Sequence, residues 1–154
     1  MSDDHIMRVT EISIAVRDLE KATADMGSAL GLNTYAEVTE EPEPPIQARF
    51  VGFGIPGSAV FGLMESTVEG SPIDRFVQRR GEGIFSISLE VDDIEATMRD
   101  WRERGIEFVL EEPMETKGPV AGSHWNRMKI NFTRPNPLLH GVVFEIQELI
   151  EAAR

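Results

Sequence analysis

Several features are missing from this 154-residue sequence. It contains no cysteine, which excludes disulfide bonds, thiolate metal sites and a cysteine nucleophile. It has no apolar run near the roughly 20 residues that a membrane-spanning helix needs. Its first five residues, Met1 to His5, lack the basic and apolar regions of a signal peptide. Together these absences predict a cytoplasmic protein.

Positive charge is scarce. There are 15 Lys and Arg against 27 Asp and Glu, so the formal net charge is −12. A surface with this charge repels nucleic acid and anionic lipid, and we therefore expect neither nucleic acid nor membrane as a partner. It also argues against a highly phosphorylated ligand, unless a local basic patch offsets the field.

Two common catalytic motifs are absent. No Gly-x-Ser-x-Gly sequence is present, which argues against the nucleophile elbow of the α/β-hydrolases. The glycine-containing segment 52–57 has neither the lysine nor the following helix of a phosphate-binding loop. Hydrolase and nucleotide-binding chemistry of these types is therefore not expected.

One stretch of sequence occurs twice. Residues 11–20 (EISIAVRDLE) correspond to residues 86–95 (SISLEVDDIE), 75 positions later. In both copies alternating residues predict a strand, and the aspartate that follows it, Asp18 or Asp93, is placed to cap a helix. The repeat predicts two copies of one structural module.

The first module reads as β-α-β-β-β. The pattern predicts a strand over 8–16, a helix that Gly31 ends, a strand over 32–38, and strands over 46–53 and 58–65. The acidic, proline-rich segment 40–45 is predicted to be irregular. Residues 1–7 are predicted to be a loose leader.

The second module follows a short connecting helix. Ser71, Pro72 and Asp74 are typical of a helix start, with Ile73, Phe76 and Val77 as the buried face. The predicted elements after it are a strand over 84–91, a helix closed by Gly105, a strand over 106–110, a loop over 114–125, and strands over 128–132 and 141–147. The domain plan is one domain, 1–154, with modules at about 8–66 and 83–148 and the linker helix at 67–82.

The sequence resembles the vicinal oxygen chelate superfamily of glyoxalases, bleomycin resistance proteins and extradiol dioxygenases. Segments 71–76, 90–95 and 140–145 resemble its methylmalonyl-CoA epimerase branch most closely, and the likeness spans about residues 8–148. The resemblance implies an α+β fold in which two tandem βαβββ modules form curved mixed sheets around a cup-shaped cavity. It also implies a homodimer.

In that superfamily four inward side chains, usually His, Gln or Glu, bind a divalent metal. The matching positions here are Glu11, Gly62, Ser86 and Glu145. Glycine has no ligand atom and a neutral serine hydroxyl is a poor ligand for such metals. The three histidines, at positions 5, 124 and 140, do not restore the set. We therefore predict no metal and no other cofactor.

The resemblance makes the interior of the modules the candidate binding site. Small residues there leave room for a largely apolar organic substrate, and Met64 and Val143 lie on the same strand faces. The small positions are Ser13, Ala15, Gly62, Ser86 and Ser88. If Glu11 and Glu145 converge where the metal would be, one pKa rises and the pair shares a proton, which suits acid–base catalysis.

Each of these interpretations has a structural alternative. Glu11 or Glu145 would instead form an ordinary ion pair if Arg49, Lys129 or Arg127 lay beside it. His124 and Trp125, in the long loop, are candidates for a lid over the ligand, and an exposed loop aromatic also serves simply in packing.

Three functions remain open. The first is a metal-independent isomerase, epimerase or lyase that moves a proton beside a carbonyl, with Glu145 as base and Glu11 as acid. The second is a non-catalytic protein that binds a small molecule, as the superfamily's resistance proteins do. The third is a metal-dependent enzyme of the methylmalonyl-CoA epimerase type, against which Gly62 and Ser86 count.

Overall fold

The computed structural model describes residues 5–34, 37–54, 58–116 and 127–150. The chain forms two compact units. One unit is Glu11–Phe85; the other combines the chain up to Thr10 with the chain from Ser86 onward. Within the described residues, no helix is long and apolar enough to cross a membrane. That the chain is one superfamily domain, with modules at 8–66 and 83–148, stays a prediction.

The Glu11–Phe85 unit has the predicted order β-α-β-β-β followed by the linker helix. Its elements are β1 (Ile6–Ala15, of which Glu11–Ala15 belong here), α1 (Leu19–Leu30), β2 (Thr39–Glu41), β3 (Ala48–Phe53), β4 (Val60–Ser66) and α2 (Pro72–Arg80). The strands lie in the order β2-β3-β4-β1. Only the β1–β4 pair is parallel, so the sheet is mixed.

The second unit repeats this order. Its elements are β5 (Gly83–Val91, of which Ser86–Val91 belong here), α3 (Ile94–Glu103), β6 (Met114–Glu115), β7 (Arg127–Phe132), a 3-10 turn (Pro137–Leu139) and β8 (Val143–Ile150). The strands lie in the order β5-β8-β7-β6, with β5 and β8 parallel and the other pairs antiparallel. The predicted α+β class with mixed sheets is confirmed.

Capping aspartates begin both repeated helices, as the sequence predicts. The carboxylate of Asp18 accepts a hydrogen bond from the N–H of Lys21 at 2.9 Å, and that of Asp93 accepts from the N–H of Ala96 at 2.8 Å. Each bond satisfies a backbone donor that the first helical turn leaves unpaired. Gly31 ends α1 in the left-handed conformation (φ 66°), which glycine adopts without steric cost.

Each unit has its own apolar core beneath a helix. In the Glu11–Phe85 unit, Leu19 of α1 packs with Val51, Phe53 and Leu63 of the sheet and with Val16, which follows β1. The corresponding cluster of the other unit consists of Val91, Ile94, Met98, Ile106, Phe108 and Ile146. The predicted inward face of α2 is also confirmed, since Ile73 and Val77 are buried and Phe76 packs against them.

The predicted strand over 32–38 is wrong. Thr34 makes only an isolated bridge to Phe53, and residues 35–36 lie outside the described residues. The strand at this edge is β2, Thr39–Glu41, inside the segment predicted to be irregular. Glu40 is paired with Arg49 across β2 and β3, and the arginine offsets the acidic charge that argued against a strand.

The predicted strand over 106–110 is also wrong. Phe108 makes one bridge to Thr133, and the edge strand is β6, within the predicted loop. The buried amide of Asn131 explains the difference. It accepts from the N–H of Leu110 at 3.1 Å and donates to the carbonyl of Leu110 at 3.0 Å, so a side chain replaces the ladder there.

Of the residues 1–7 predicted to be a loose leader, residues 1–4 lie outside the described residues, and β1 begins at Ile6. The His5 ring lies between two carboxylates, with Nδ1 3.0 Å from Asp92 Oδ1 and Nε2 2.8 Å from Asp100 Oδ2. The carbonyl of His5 also accepts from the N–H of Asp92 at 3.2 Å. These contacts attach the start of β1 to the residues that precede and form α3.

Candidate functional site

Glu11 is held by its own strand and by the strand beside it. Ser13, two residues further on β1, donates from Oγ to Glu11 Oε1 at 2.7 Å. Gly62 lies opposite Ser13 in the parallel β1–β4 ladder. The Glu11 carboxyl occupies the space above this glycine, because a Cβ at position 62 would lie 2.3 Å from Glu11 Oε1. Glu11, Ser13 and Gly62 therefore come together, as predicted.

The surroundings of the Glu11 carboxyl favour its neutral form. Burial raises the pKa of Glu11 above its ordinary value, and the hydrogen bond from Ser13 lowers it by a smaller amount. A carboxyl group with a raised pKa holds a proton under conditions in which an exposed glutamate has lost it. Such a group is suited to donate a proton or a hydrogen bond to a ligand.

Met64 and Ala15 extend the same strand faces into the core. They are partners in the β1–β4 ladder and pack in a cluster with Ala48, Ile73 and Val77. Met64 remains partly exposed. Its role as a substrate contact stays a prediction beside its evident packing role.

Glu145 is buried on β8 and is held in a similar way to Glu11. The amide of Gln147, two residues further on the strand, donates from Nε2 to Glu145 Oε1 at 2.7 Å. Thr10 in turn donates from Oγ1 to Gln147 Oε1 at 2.8 Å, and lies 3.2 Å from the carbonyl oxygen of Ser88. The result is a chain of hydrogen bonds from Thr10 through Gln147 to Glu145.

Ser86 and Ser88 share a strand face with Glu145. In the parallel β5–β8 ladder, Ser86 is paired with Val143 and Ser88 with Glu145. Both serine side chains are fully buried, and their hydroxyls have no hydrogen-bond partner in the part of the chain that the structure describes. Leaving a buried hydroxyl unpaired costs on the order of 1–3 kcal/mol. The role of these two serines as substrate contacts stays a prediction.

The cations proposed as ion-pair partners are engaged with other acids. Arg49 pairs with Glu20 and with Glu65, the latter at 3.3 Å. Lys129 pairs with Glu95 at 2.8 Å, and Arg127 pairs with Glu115. Among the described residues, the carboxylates that these three cations contact are those of Glu20, Glu65, Glu95 and Glu115.

Two further parts of the predicted site also remain predictions. His124 and Trp125, the candidate lid residues, lie outside the described residues. Glu11 and Glu145 belong to different units, so the sharing of one proton between them is also a prediction.

The sequence interpretation missed Thr10 and Gln147. The signal was present for Gln147, because residues two apart on a strand face the same side and Glu145 was already a candidate. Thr10 gave no comparable signal, since its contact with Gln147 joins positions 137 residues apart.

The residues at the superfamily's metal positions do not fit a four-ligand site. Position 62 contributes no ligand atom, and the Glu11 carboxyl fills the space where a side chain there would begin. Ser86 offers only a neutral hydroxyl. One other acidic group, Asp93, Glu95 and Glu148, has ligand atoms within 4.8 Å of one another. Its carboxylates already accept from the N–H of Ala96, from Lys129 and from the N–H of Ile94.

Comparison with known proteins agrees with this architecture. The sequence model of the glyoxalase/bleomycin resistance protein/dioxygenase superfamily matches residues 10–123. The match covers well over half of the chain. The chain therefore belongs to this superfamily.

Among its relatives are acyl-CoA epimerases. The chain is 34% identical over 145 residues to ethylmalonyl-CoA/methylmalonyl-CoA epimerase of Cereibacter sphaeroides, covering 94% of this chain and 99% of that protein. It is 33% identical over 106 residues to human mitochondrial methylmalonyl-CoA epimerase, covering 68% of this chain. The match spans 58% of the length of the human protein.

Solved structures show the same fold. Methylmalonyl-CoA epimerase from Mycobacterium tuberculosis superposes with a TM-score of 0.77 at 28% identity, covering 99% of this chain and 93% of that one. A Streptomyces coelicolor methylmalonyl-CoA epimerase variant in complex with 2-nitronate-propionyl-CoA gives a TM-score of 0.78 at 24% identity, with coverage of 96% and 99%. The second likeness shows the fold alone.

Proposed function

We propose that the protein is an isomerase that moves a proton at the carbon beside the carbonyl of an acyl-CoA thioester, without a metal. Glu145 is the base and Glu11 its acid partner. The observation that carries this proposal is the Glu11 carboxyl, held by Ser13 over Gly62, with a raised pKa. The substrate class comes from the Cereibacter sphaeroides relative, whose likeness extends over nearly its whole length. The net charge of −12 opposes the binding of the coenzyme A phosphates, so this substrate class requires a local basic patch.

The proposed reaction conserves protons and electrons. The Glu145 carboxylate takes the proton from the carbon next to the thioester carbonyl, and the electron pair of that C–H bond moves to the carbonyl oxygen to form an enolate. Glu11 then gives its proton to the other face of the same carbon, the carbonyl re-forms, and the configuration is inverted. The reverse reaction uses the two carboxyl groups in exchanged roles.

Two other functions keep specific support. The likeness to methylmalonyl-CoA epimerases favours a metal-dependent enzyme of that type, although Gly62 and Ser86 are poor counterparts of metal ligands. The superfamily match also includes bleomycin resistance proteins, which favours simple ligand binding. A homodimer and a cytoplasmic location remain proposals from the resemblance.

Deuterium exchange separates the three functions. Protein purified without chelator is analysed for metal by mass spectrometry and incubated in D2O with methylmalonyl-CoA or ethylmalonyl-CoA, before and after removal and re-addition of divalent metals. We expect deuterium at the carbon between the carbonyls with or without metal. Exchange only with metal would establish the metal-dependent enzyme, and tight binding without exchange would establish the binding protein.

A conservative variant tests the assignment of the base. Glu145→Gln is expected to abolish exchange while calorimetry still detects thioester binding. Glu103→Gln, at an exposed position on α3, is the matched control and should exchange at the normal rate. Undiminished exchange by Glu145→Gln would refute the role of Glu145.

A further inference from the structure

The absence of a side chain at Gly62 makes room for another residue. Gly62 is buried in the middle of its sheet, opposite Ser13 on β1 and opposite Gly52 on β3. A Cβ added there would meet only one side chain among its three nearest atoms, that of Glu11, at 2.3 Å from Oε1, 2.8 Å from Cδ and 3.3 Å from Cγ. The space that the missing side chain leaves is therefore filled by the Glu11 carboxyl.

Glu11 keeps this position only if residue 62 is glycine. The main chain at position 62 lies between two hydrogen-bonded neighbours, so it cannot move aside without disturbing both ladders. A distance of 2.3 Å is far shorter than any non-bonded carbon–oxygen contact, so even alanine would displace the carboxyl. The position that the resemblance matches to a metal ligand is thus occupied here by a carboxyl group from another strand. We refer to this position of the Glu11 carboxyl, over Gly62 and beside Ser13, as the seat.

The seat also distinguishes the two oxygens of Glu11. Oε1 lies against Gly62 and accepts the hydrogen bond from Ser13 at 2.7 Å. Oε2 is not among the three atoms nearest the glycine, so it lies farther from this position than Oε1 does. A hydroxyl that donates to Oε1 leaves Oε2 as the oxygen that carries the acid's proton.

We propose that Gly62 and Ser13 are positioning residues, which hold the Glu11 carboxyl over β4 so that Oε2 faces the substrate as the proton donor. This inference rests on the proposed function, because it concerns how the acid partner of that reaction is placed. Position 62, which the resemblance matches to a metal-ligand position, here lies under the Glu11 carboxyl. The glycine is required for its lack of a side chain.

The test compares single and double variants in the exchange assay. Gly62→Ala should lower kcat roughly 100-fold, since displacing a reacting group by about 1 Å costs this much, while KM changes little. Glu11→Gln should lower kcat roughly 100-fold or more. The double variant should be no slower than Glu11→Gln alone, because both changes remove the same group. Gly83→Ala, at a strand glycine with open space around its Cβ position, is the matched control.

A second variant guards against simple overpacking. Ser13→Ala adds no atoms, but it removes the hydrogen-bond donor to Oε1 of Glu11. It should therefore also lower kcat, while its melting temperature stays near that of wild type. Full activity of both Gly62→Ala and Ser13→Ala, with Glu11→Gln inactive, would overturn the positioning roles and leave the proposed function standing. Full activity of Glu11→Gln would overturn the acid role itself.

A substrate-free measurement tests the seat even if no thioester is turned over. The carboxyl carbon of Glu11, identified by its loss in Glu11→Gln, is followed by 13C NMR in Gly62→Ala and Gly83→Ala. The signal should move in Gly62→Ala and remain in place in Gly83→Ala. An unmoved signal in Gly62→Ala would refute the seat, whatever the protein's activity.

Discussion

Gln147 donates a hydrogen bond to Glu145 across 2.7 Å, from two residues further along the same strand. Ser13 does the same for Glu11 on β1, also at 2.7 Å. Side chains two apart on a strand share a face, so each acid is held by a neighbour within its own strand. The two carboxyl groups therefore differ in their donor, an amide for Glu145 and a hydroxyl for Glu11.

The Gln147 amide should be needed for turnover. Gln147→Leu removes the Gln147 donor to Glu145 and the nearer of the two acceptors of Thr10, leaving the carbonyl of Ser88. A hydrogen bond to a charged group contributes about 1.5–3 kcal/mol, so kcat should fall roughly 10- to 100-fold if the bond is needed in the transition state. Steady-state kinetics should show a change in kcat more than in KM. Gln78→Leu, at an exposed position on α2, is the control, and an unchanged kcat for Gln147→Leu would mean that Gln147 only stabilises the fold.

The attachment of His5 should depend on pH. The pKa of His5 is raised mainly by its hydrogen bond to Asp100 and then by its hydrogen bond to Asp92. The pKa of Asp100 is lowered mainly by the hydrogen bond from His5, and the charge of the neighbouring Arg99 lowers it further. A raised histidine pKa gives stability that is full below about pH 6.5 and is lost as the pH rises through the folded-state pKa. The lowered pKa of Asp100 gives stability that is lost as the pH falls through its own folded-state value.

Urea denaturation of wild type and His5→Asn measures this effect. Wild type should have the larger free energy of unfolding near pH 5.5, and the difference should shrink by about pH 9, after the imidazolium has lost its proton. His140→Asn, at an exposed position, serves as the control. A difference that does not vary between the two pH values would contradict the prediction.

The raised pKa of Glu11 predicts a cost in stability at higher pH. The unfolded chain ionises Glu11 near its ordinary pKa of about 4.3, whereas the folded chain keeps the proton to higher pH. Wild type should therefore lose stability relative to Glu11→Gln as the pH rises from about 4.3 through the folded-state pKa. Denaturation curves at pH 4.5 and 8 test this, with the exposed Glu69→Gln as control. Parallel pH dependence of wild type and Glu11→Gln would contradict it.

Local signals in the sequence predicted most of the fold correctly. Asp18 and Asp93 cap their helices, Gly31 ends α1, and the order of elements in both modules follows the repeat. Each of these features depends on residues within a few positions of one another. The two wrong strands lie at sheet edges, where the backbone partner comes from a distant segment and a side chain such as Asn131 can replace it.

In the candidate site, too, local patterns predicted some residues correctly, whereas residues that depend on distant contacts were missed. Alternation along β1 placed Glu11 and Ser13 on one face, and the resemblance paired them with Gly62. The roles of Thr10 and His5 required contacts across more than 80 positions, which neither periodicity nor composition records. For Gly62 the sequence predicted only that a small residue leaves space at this position. It did not specify that the Glu11 carboxyl fills that space.

The compact units begin where the two copies of the repeat begin, at Glu11 and Ser86, but the residues before the first copy do not belong to the first unit. Residues 5–10 precede the first copy in sequence, yet they belong to the unit that contains the second copy, through His5 and Thr10. A gene cut between the two copies would place this segment on the wrong polypeptide. The fragment that contains the second copy would then lack the segment before Glu11. A peptide of residues 1–10 added in trans should bind to this fragment, so the chain is suitable for fragment complementation.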